Sequence, residues 1–217
     1  MKILVIGDSV GLPLFHRTRD EVEIGYEEVY PERLRQLLRQ QYPGEDILLL
    51  NQCRHAQTSH VLVSGAANEV LFLRPEVLVL QLGMTDLWPA AGRNIPAPAP
   101  KMEGRDPWIS AEEFRGNFTR FLDFCAGFDG LSVLLVNIPC VSQDQYRRYP
   151  EALERTERYN RILFELADRP GVSLIDAFDL FKKFGESAYS SDRIHPASQA
   201  ARALAGEILQ SIVQTRP

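Results

Sequence analysis

Five short apolar runs constrain this chain most: Ile3 to Ile6, Ile47 to Leu50, Val77 to Leu82, Val133 to Val136 and Val172 to Ile175. None of them alternates with polar residues. A strand with one wet face must alternate, because successive side chains point to opposite sides of the sheet; a strand covered on both faces need not. Continuous runs therefore predict a parallel sheet buried between two layers of helices.

The segments between the runs supply those helices. After Tyr30-Pro31, with proline suited to a first helical turn, Leu34, Leu37 and Leu38 mark one apolar face until Pro43-Gly44 stops it. Val63, Ala67, Val70 and Leu71 mark the next. Ser110-Ala111-Glu112-Glu113 reads as a capping box ahead of Phe114, Phe118, Phe121, Leu122 and Cys125 at helical spacing. A further helix follows Pro150, with Leu153, Ile162, Leu163 and Leu166, and the last follows Pro196, with Ala200, Leu204, Ile208 and Ile212. Strand and helix alternate five times. That order predicts an α/β fold, a doubly wound three-layer sandwich on a five-stranded parallel sheet, whose ligands bind beyond the carboxyl ends of the strands. Residues 10 to 29 and 84 to 108 read as long irregular stretches; the second carries Trp88, Trp108 and five prolines and is expected to form a stiff cover over the site or a packed surface loop.

A length of 217 residues fits one domain spanning 1–217. The net charge of -5 and the lack of a basic run argue against a nucleic-acid partner. The apolar stretch after Met1-Lys2 is too short for a signal peptide or a membrane span, so a cytoplasmic protein with no membrane partner is expected. Cys53, Cys125 and Cys140 are odd in number and form no C-x-x-C pair, which reads as structural thiols. Cys53, His55 and His60 match no common zinc spacing, so no metal is expected. Neither phosphate-cradling glycine pattern follows the first strand, so no nucleotide cofactor is expected either.

Four strand ends carry the residues that bear chemistry. Gly7-Asp8-Ser9 follows the first strand and sets a hydroxyl at the sheet's carboxyl edge. Asp192-Arg193-Ile194-His195-Pro196 precedes the last helix in a tight turn that lets Asp192 accept the Nδ1 proton of His195 and leaves Nε2 for Ser9. An oxyanion formed by such a serine needs donors from neighbouring strand ends. Two segments qualify, Asn51 to Ser59 and Gly83-Met84-Thr85-Asp86. His55 and Gln57 carry donors in the first of these, and Cys140 and His16 are weaker candidates for chemistry elsewhere.

With these blocks in order from residue 7 to residue 195, the sequence resembles the SGNH, or GDSL-type, hydrolase family. The resemblance implies a flavodoxin-like sandwich with five parallel strands, no cofactor, and hydrolysis or transfer of acyl groups, often acetyl esters on carbohydrates. It implies Ser9 as nucleophile, His195 as base, Asp192 as its orienting acid, and an oxyanion hole from Ser9, Ala56 and Thr85. Asp8, Gln57, Met84 and Trp88 are expected to border the substrate, a small-molecule or carbohydrate acyl ester. Two positions depart from the pattern: Ala56 stands for the second-block glycine and Thr85 for the third-block asparagine. The alanine keeps the N–H and matters only if the backbone there needs positive φ. The threonine removes an amide donor, a loss of about 100-fold to 1,000-fold in turnover if nothing replaces it. A serine esterase is the principal reading; an acyltransferase to a sugar or other alcohol, and a non-catalytic binding protein with a degenerate pocket, are the alternatives.

Overall fold

The computed structural model describes residues 1–16, 21–87 and 109–215. Its main sheet holds five parallel strands: β1 (Lys2–Gly7), β4 (Leu48–Asn51), β5 (Val77–Gln81), β6 (Ser132–Val136) and β7 (Val172–Ile175). They lie in the order β4-β1-β5-β6-β7. All five apolar runs are strands, and β5 is buried along its whole length, as two covered faces require. This is the flavodoxin-like order, which reverses direction at β1 and opens a crevice there at the carboxyl edge.

Helices α1 (Tyr30–Gln41), α7 (Ala177–Phe184) and α8 (Ser198–Thr215) pack together, as do α2 (Val61–Ser64), α3 (Ala66–Leu73), α4 (Ala111–Cys125) and α6 (Pro150–Leu166). In α4 the Ser110 hydroxyl accepts from Glu113 N at 3.1 Å, the expected cap. The aromatic stripe below it is core: Phe114, Phe118 and Phe121 are each no more than 1% exposed. Burying one such ring contributes roughly 1.5–3 kcal/mol.

The structure corrects several expectations. The helix read from Val63, Ala67, Val70 and Leu71 is broken at Gly65, and its buried residues are Leu62, Ala66 and Val70 while Val63 and Leu71 face solvent. The last helix does follow Pro196, starting at Ser198, but the proline itself pairs with Tyr189 in an isolated antiparallel bridge. The stretch 10–29 is not irregular throughout, because Leu14–Phe15 (β2) and Val22–Ile24 (β3) form an antiparallel hairpin. The short helix α5 (Gln143–Arg148) and α7 had no counterpart in the sequence reading. Most of the long stretch 84–108, with Trp88 and Trp108, lies outside the described residues.

Candidate active site

Directly after β1 the chain makes a short 3-10 turn, Ser9–Gly11. Asp8 caps it, its Oδ1 accepting from Val10 N at 3.1 Å while Oδ2 accepts from Met84 N at 3.0 Å. The Ser9 turn is thereby tied to the turn after β5. Asn51, at the end of β4, donates its Nδ2 to Gly11 O at 3.1 Å and so holds the other side of the same turn. Cys53 packs from below: a Cβ added to Gly7 or Gly11 would stand 2.7 or 2.5 Å from its Sγ. Only glycines allow the thiol this close to the backbone on both sides of Ser9.

From the far end of the chain, His195 brings its Nε2 to 2.8 Å from Ser9 Oγ. Its Nδ1 lies 2.5 Å from Asp192 Oδ2. The other carboxylate oxygen, Oδ1, accepts from Ile194 N and His195 N, both at 2.9 Å, and from Ser190 Oγ at 3.0 Å. Burial alone raises a carboxyl, but the His195 hydrogen bond, the imidazole's charge and the two backbone donors outweigh it and hold Asp192 well below the usual carboxylate range. The side chain of Asp192 is 2% exposed and that of His195 19%, so the carboxylate is shielded while the imidazole keeps some access to solvent. Oγ, imidazole and carboxylate form a continuous hydrogen-bonded chain in which a proton can pass between Oγ and Nε2 while the carboxylate orients the ring.

Two backbone N–H groups in the strand-end turns are left without an acceptor: among the described residues, neither Ser9 N nor Ala56 N donates to a protein acceptor. The loop carrying Ala56 is hung on one carbonyl: Arg54 N and Gln57 Nε2 both donate to Gly7 O at 3.0 Å. Ala56 has φ 56°, the left-handed conformation that favours glycine. Backbone geometry at this position therefore asks for the glycine the resemblance expected, and the alanine is accommodated at a conformational cost. Gly83 has φ 122°, and a Cβ there would meet Ile138 Cδ1 at 2.6 Å. That glycine is required twice over, by conformation and by space.

Not every expected residue meets the crevice. Asp8 is fully buried and bonded to backbone, and burial raises its carboxyl to about 6 against the Val10 and Met84 donors. The neighbouring Gln81 carboxamide and the charge of His195 also favour the charged form, although neither polar atom of Gln81 reaches hydrogen-bond geometry among the described residues. Met84 is 2% exposed, its side chain in the core and its N–H on Asp8. Gln57 turns its amide N onto Gly7 O. Asp8 and Met84, expected at the border of the substrate, hold the two turns together with their side chains buried. Trp88 lies outside the described residues. Thr85 is 6% exposed in a 3-10 turn directly after Met84.

Other candidates separate. Cys53 is buried, its thiol raised by burial, while His55 and His60 face solvent, and among the described residues no three His, Cys, Asp or Glu side chains gather as a metal site would. Cys140 pairs its Sγ with Tyr189 OH at 2.9 Å. Sequence reasoning missed the brace formed by Asp86, which is 1% exposed and accepts from Ser59 N and, at 2.8 Å, from Ser59 Oγ. Ser190 and Glu23 were missed as well. The tail of the second block, Thr58-Ser59, and the acid of the third were a signal for the Ser59 brace; nothing pointed to Glu23.

A family model described as the GDSL-like Lipase/Acylhydrolase family matches residues 5–203. Solved structures with the same architecture include an acetylxylan esterase from Geobacillus stearothermophilus, 19% identical, with a TM-score of 0.74 over 97% of this chain and 93% of that one. An alpha/beta hydrolase from the metagenome of Lake Arreo, Spain, is 20% identical, with a TM-score of 0.74 over 100% and 96%. A lipase/acylhydrolase from Enterococcus faecalis is 17% identical, with a TM-score of 0.69 over 97% and 94%. No curated protein matches the chain at a significant level. At these identities the likeness to the solved structures is one of fold.

Proposed function

This chain belongs to the GDSL-like lipase/acylhydrolase family, and we propose that it is a serine esterase cleaving small, acetyl-like esters, carbohydrate acetates among them, through an acyl-enzyme on Ser9. The observation that carries the reading is the pair of contacts on one imidazole, 2.8 Å to Ser9 Oγ and 2.5 Å to Asp192 Oδ2. In the first half-reaction Ser9 Oγ bonds to the ester carbonyl carbon as its proton passes to His195 Nε2. Asp192 stabilises the imidazolium and keeps the ring oriented. The oxyanion is met by the N–H groups of Ser9 and Ala56, with Thr85 in the position of a third donor. Collapse returns the proton to the departing alkoxide, and water activated by His195 then releases the carboxylic acid and frees Ser9.

The acetyl preference is supported by the acetylxylan esterase with the same fold and near-equal length. A reducing, cytoplasmic setting is supported by three buried cysteines, all free thiols. No helix among the described residues is long and apolar enough to cross a membrane.

The test is release of p-nitrophenol from p-nitrophenyl acetate, and of acetate from an acetylated xylo-oligosaccharide, by the native chain and by Ser9→Ala. Loss of the nucleophile is expected to lower turnover at least about 1,000-fold. Equal rates from the two proteins would end the serine-esterase reading. Turnover of the p-nitrophenyl ester alone would remove the carbohydrate preference.

A further inference from the structure

The hairpin β2–β3 leaves the chain soon after the nucleophile turn and returns before α1. Its second strand carries Glu23, whose two carboxylate oxygens accept from the backbone N–H and the hydroxyl of Ser191, each at 2.5 Å. Ser191 stands immediately before Asp192 and is 168 positions from Glu23. The loop from Ser190 to His195 carries local bonds, from Ser190 N to His195 O at 2.9 Å, from Arg193 N to Ser190 O at 3.0 Å and from three donors to Asp192 Oδ1, around an Arg193 whose φ of 65° is a left-handed conformation that disfavours non-glycine residues. Bonds from outside the loop add to these. Ser142 N donates to Arg193 O at 3.1 Å and Gln145 Nε2 to Asp192 O at 3.1 Å, which brace the loop from α5. Glu23 braces it from the segment that also carries Ser9.

We propose that Glu23 is a positioning residue of the catalytic site: by clipping Ser191 to the hairpin, it keeps His195 Nε2 aligned with Ser9 Oγ. The inference rests on the Ser9, His195 and Asp192 reading. Two donors on one carboxylate make charge-assisted, directional bonds, which fix the geometry of both partners. Ser191 is exposed, so solvent screens the charge of Glu23 and its field on the imidazole is weak. The effect is one of alignment. Proton transfer punishes small misplacements, with about 1 Å able to cost about 100-fold in rate.

The test is steady-state kinetics on p-nitrophenyl acetate with the full chain and the variants Glu23→Ala, Glu23→Gln, Ser191→Ala and Glu23→Ala with Ser191→Ala, beside Ser9→Ala. Glu23→Ala is expected to lower kcat about 10-fold with KM within about two-fold of native. Glu23→Gln is expected to restore kcat to within about three-fold, because its Oε1 can accept from Ser191 N–H while its Nε2 donates to the Ser191 hydroxyl. The double variant should be no slower than Glu23→Ala, since one interaction cannot be removed twice. If Glu23→Ala does not fold, Glu23→Gln near native and Ser191→Ala about three-fold slower at unchanged melting temperature carry the same inference. Native kcat in Glu23→Ala, or in Ser191→Ala where that variant stands in for it, overturns it. So do losses that multiply in the double variant. With Ser9→Ala inactive, such results leave the esterase reading standing; with Ser9→Ala fully active, that reading fails on its own arm.

Discussion

Ala56 shows how a single backbone torsion records an expected residue that is missing. An L-residue with a Cβ loses roughly 1–2 kcal/mol in the left-handed region, whereas glycine enters it freely but gives up more entropy on folding. Ala56→Gly is therefore expected to stabilise the chain by about 0.5 kcal/mol, read from urea unfolding, with kcat unchanged because the N–H is the same. Thr85 is the other departure, one of side-chain chemistry in the proposed oxyanion hole rather than of backbone conformation. If its hydroxyl is the weaker donor, Thr85→Asn raises p-nitrophenyl acetate turnover about 10-fold; a fall would show the threonine to be adapted to its own acyl group. At this scale the sequence was legible where a residue type has few alternatives. Ser9, Asp192 and His195 could be named from their order, and all three meet. The burial of Asp8 and Met84 was not legible, because nothing in their spacing tells a buried clamp from a group that faces the crevice.

Among the elements, the strands were the most legible and the short connections the least. A strand of four to six residues covered on both faces leaves a continuous apolar signature. Strands β2 and β3, of two and three residues, leave none, and their pairing depends on a partner across the turn. Helix α3 was misphased because the break at Gly65 resets the helical period. The turn after β5 offers a test of how tightly an element is specified. Gly83→Ala combines a left-handed φ with an impossible contact to Ile138, and is expected to destabilise the chain by at least about 2 kcal/mol. Adding Ile138→Ala should recover only part of the melting-temperature loss attributable to Gly83→Ala, because the clash is relieved and the torsional strain is not.

Among the carboxylates that make the whole molecule respond to pH, two at the carboxyl edge of the sheet act with opposite signs. Asp192 is held below its usual range, so its contribution to stability is present above that range and lost as the solution is acidified through it. Asp8 is raised to about 6 from 3.8, so its relative stabilisation is present below about 4 and lost as pH climbs through 6. Between pH 4 and 8 the stability of the native chain relative to Asp8→Asn is thus expected to fall by about 2 kcal/mol, measured as the difference between their urea unfolding free energies at each pH. A flat difference would mean that Asp8 is not the buried acid of this edge.

By itself the sequence determined the layers, the five strands and the edge where chemistry sits, because burial on both faces and the punctuation of strand ends are written in neighbouring residues. Only the tertiary structure decided which donors converge: the clamp of Asp8 on Met84, the left-handed turns at Ala56 and Arg193, and the grip of Glu23 on Ser191. These contacts join residues up to 168 positions apart. Their directions depend on how strands and loops pack in space, and spacing along a chain carries no record of direction.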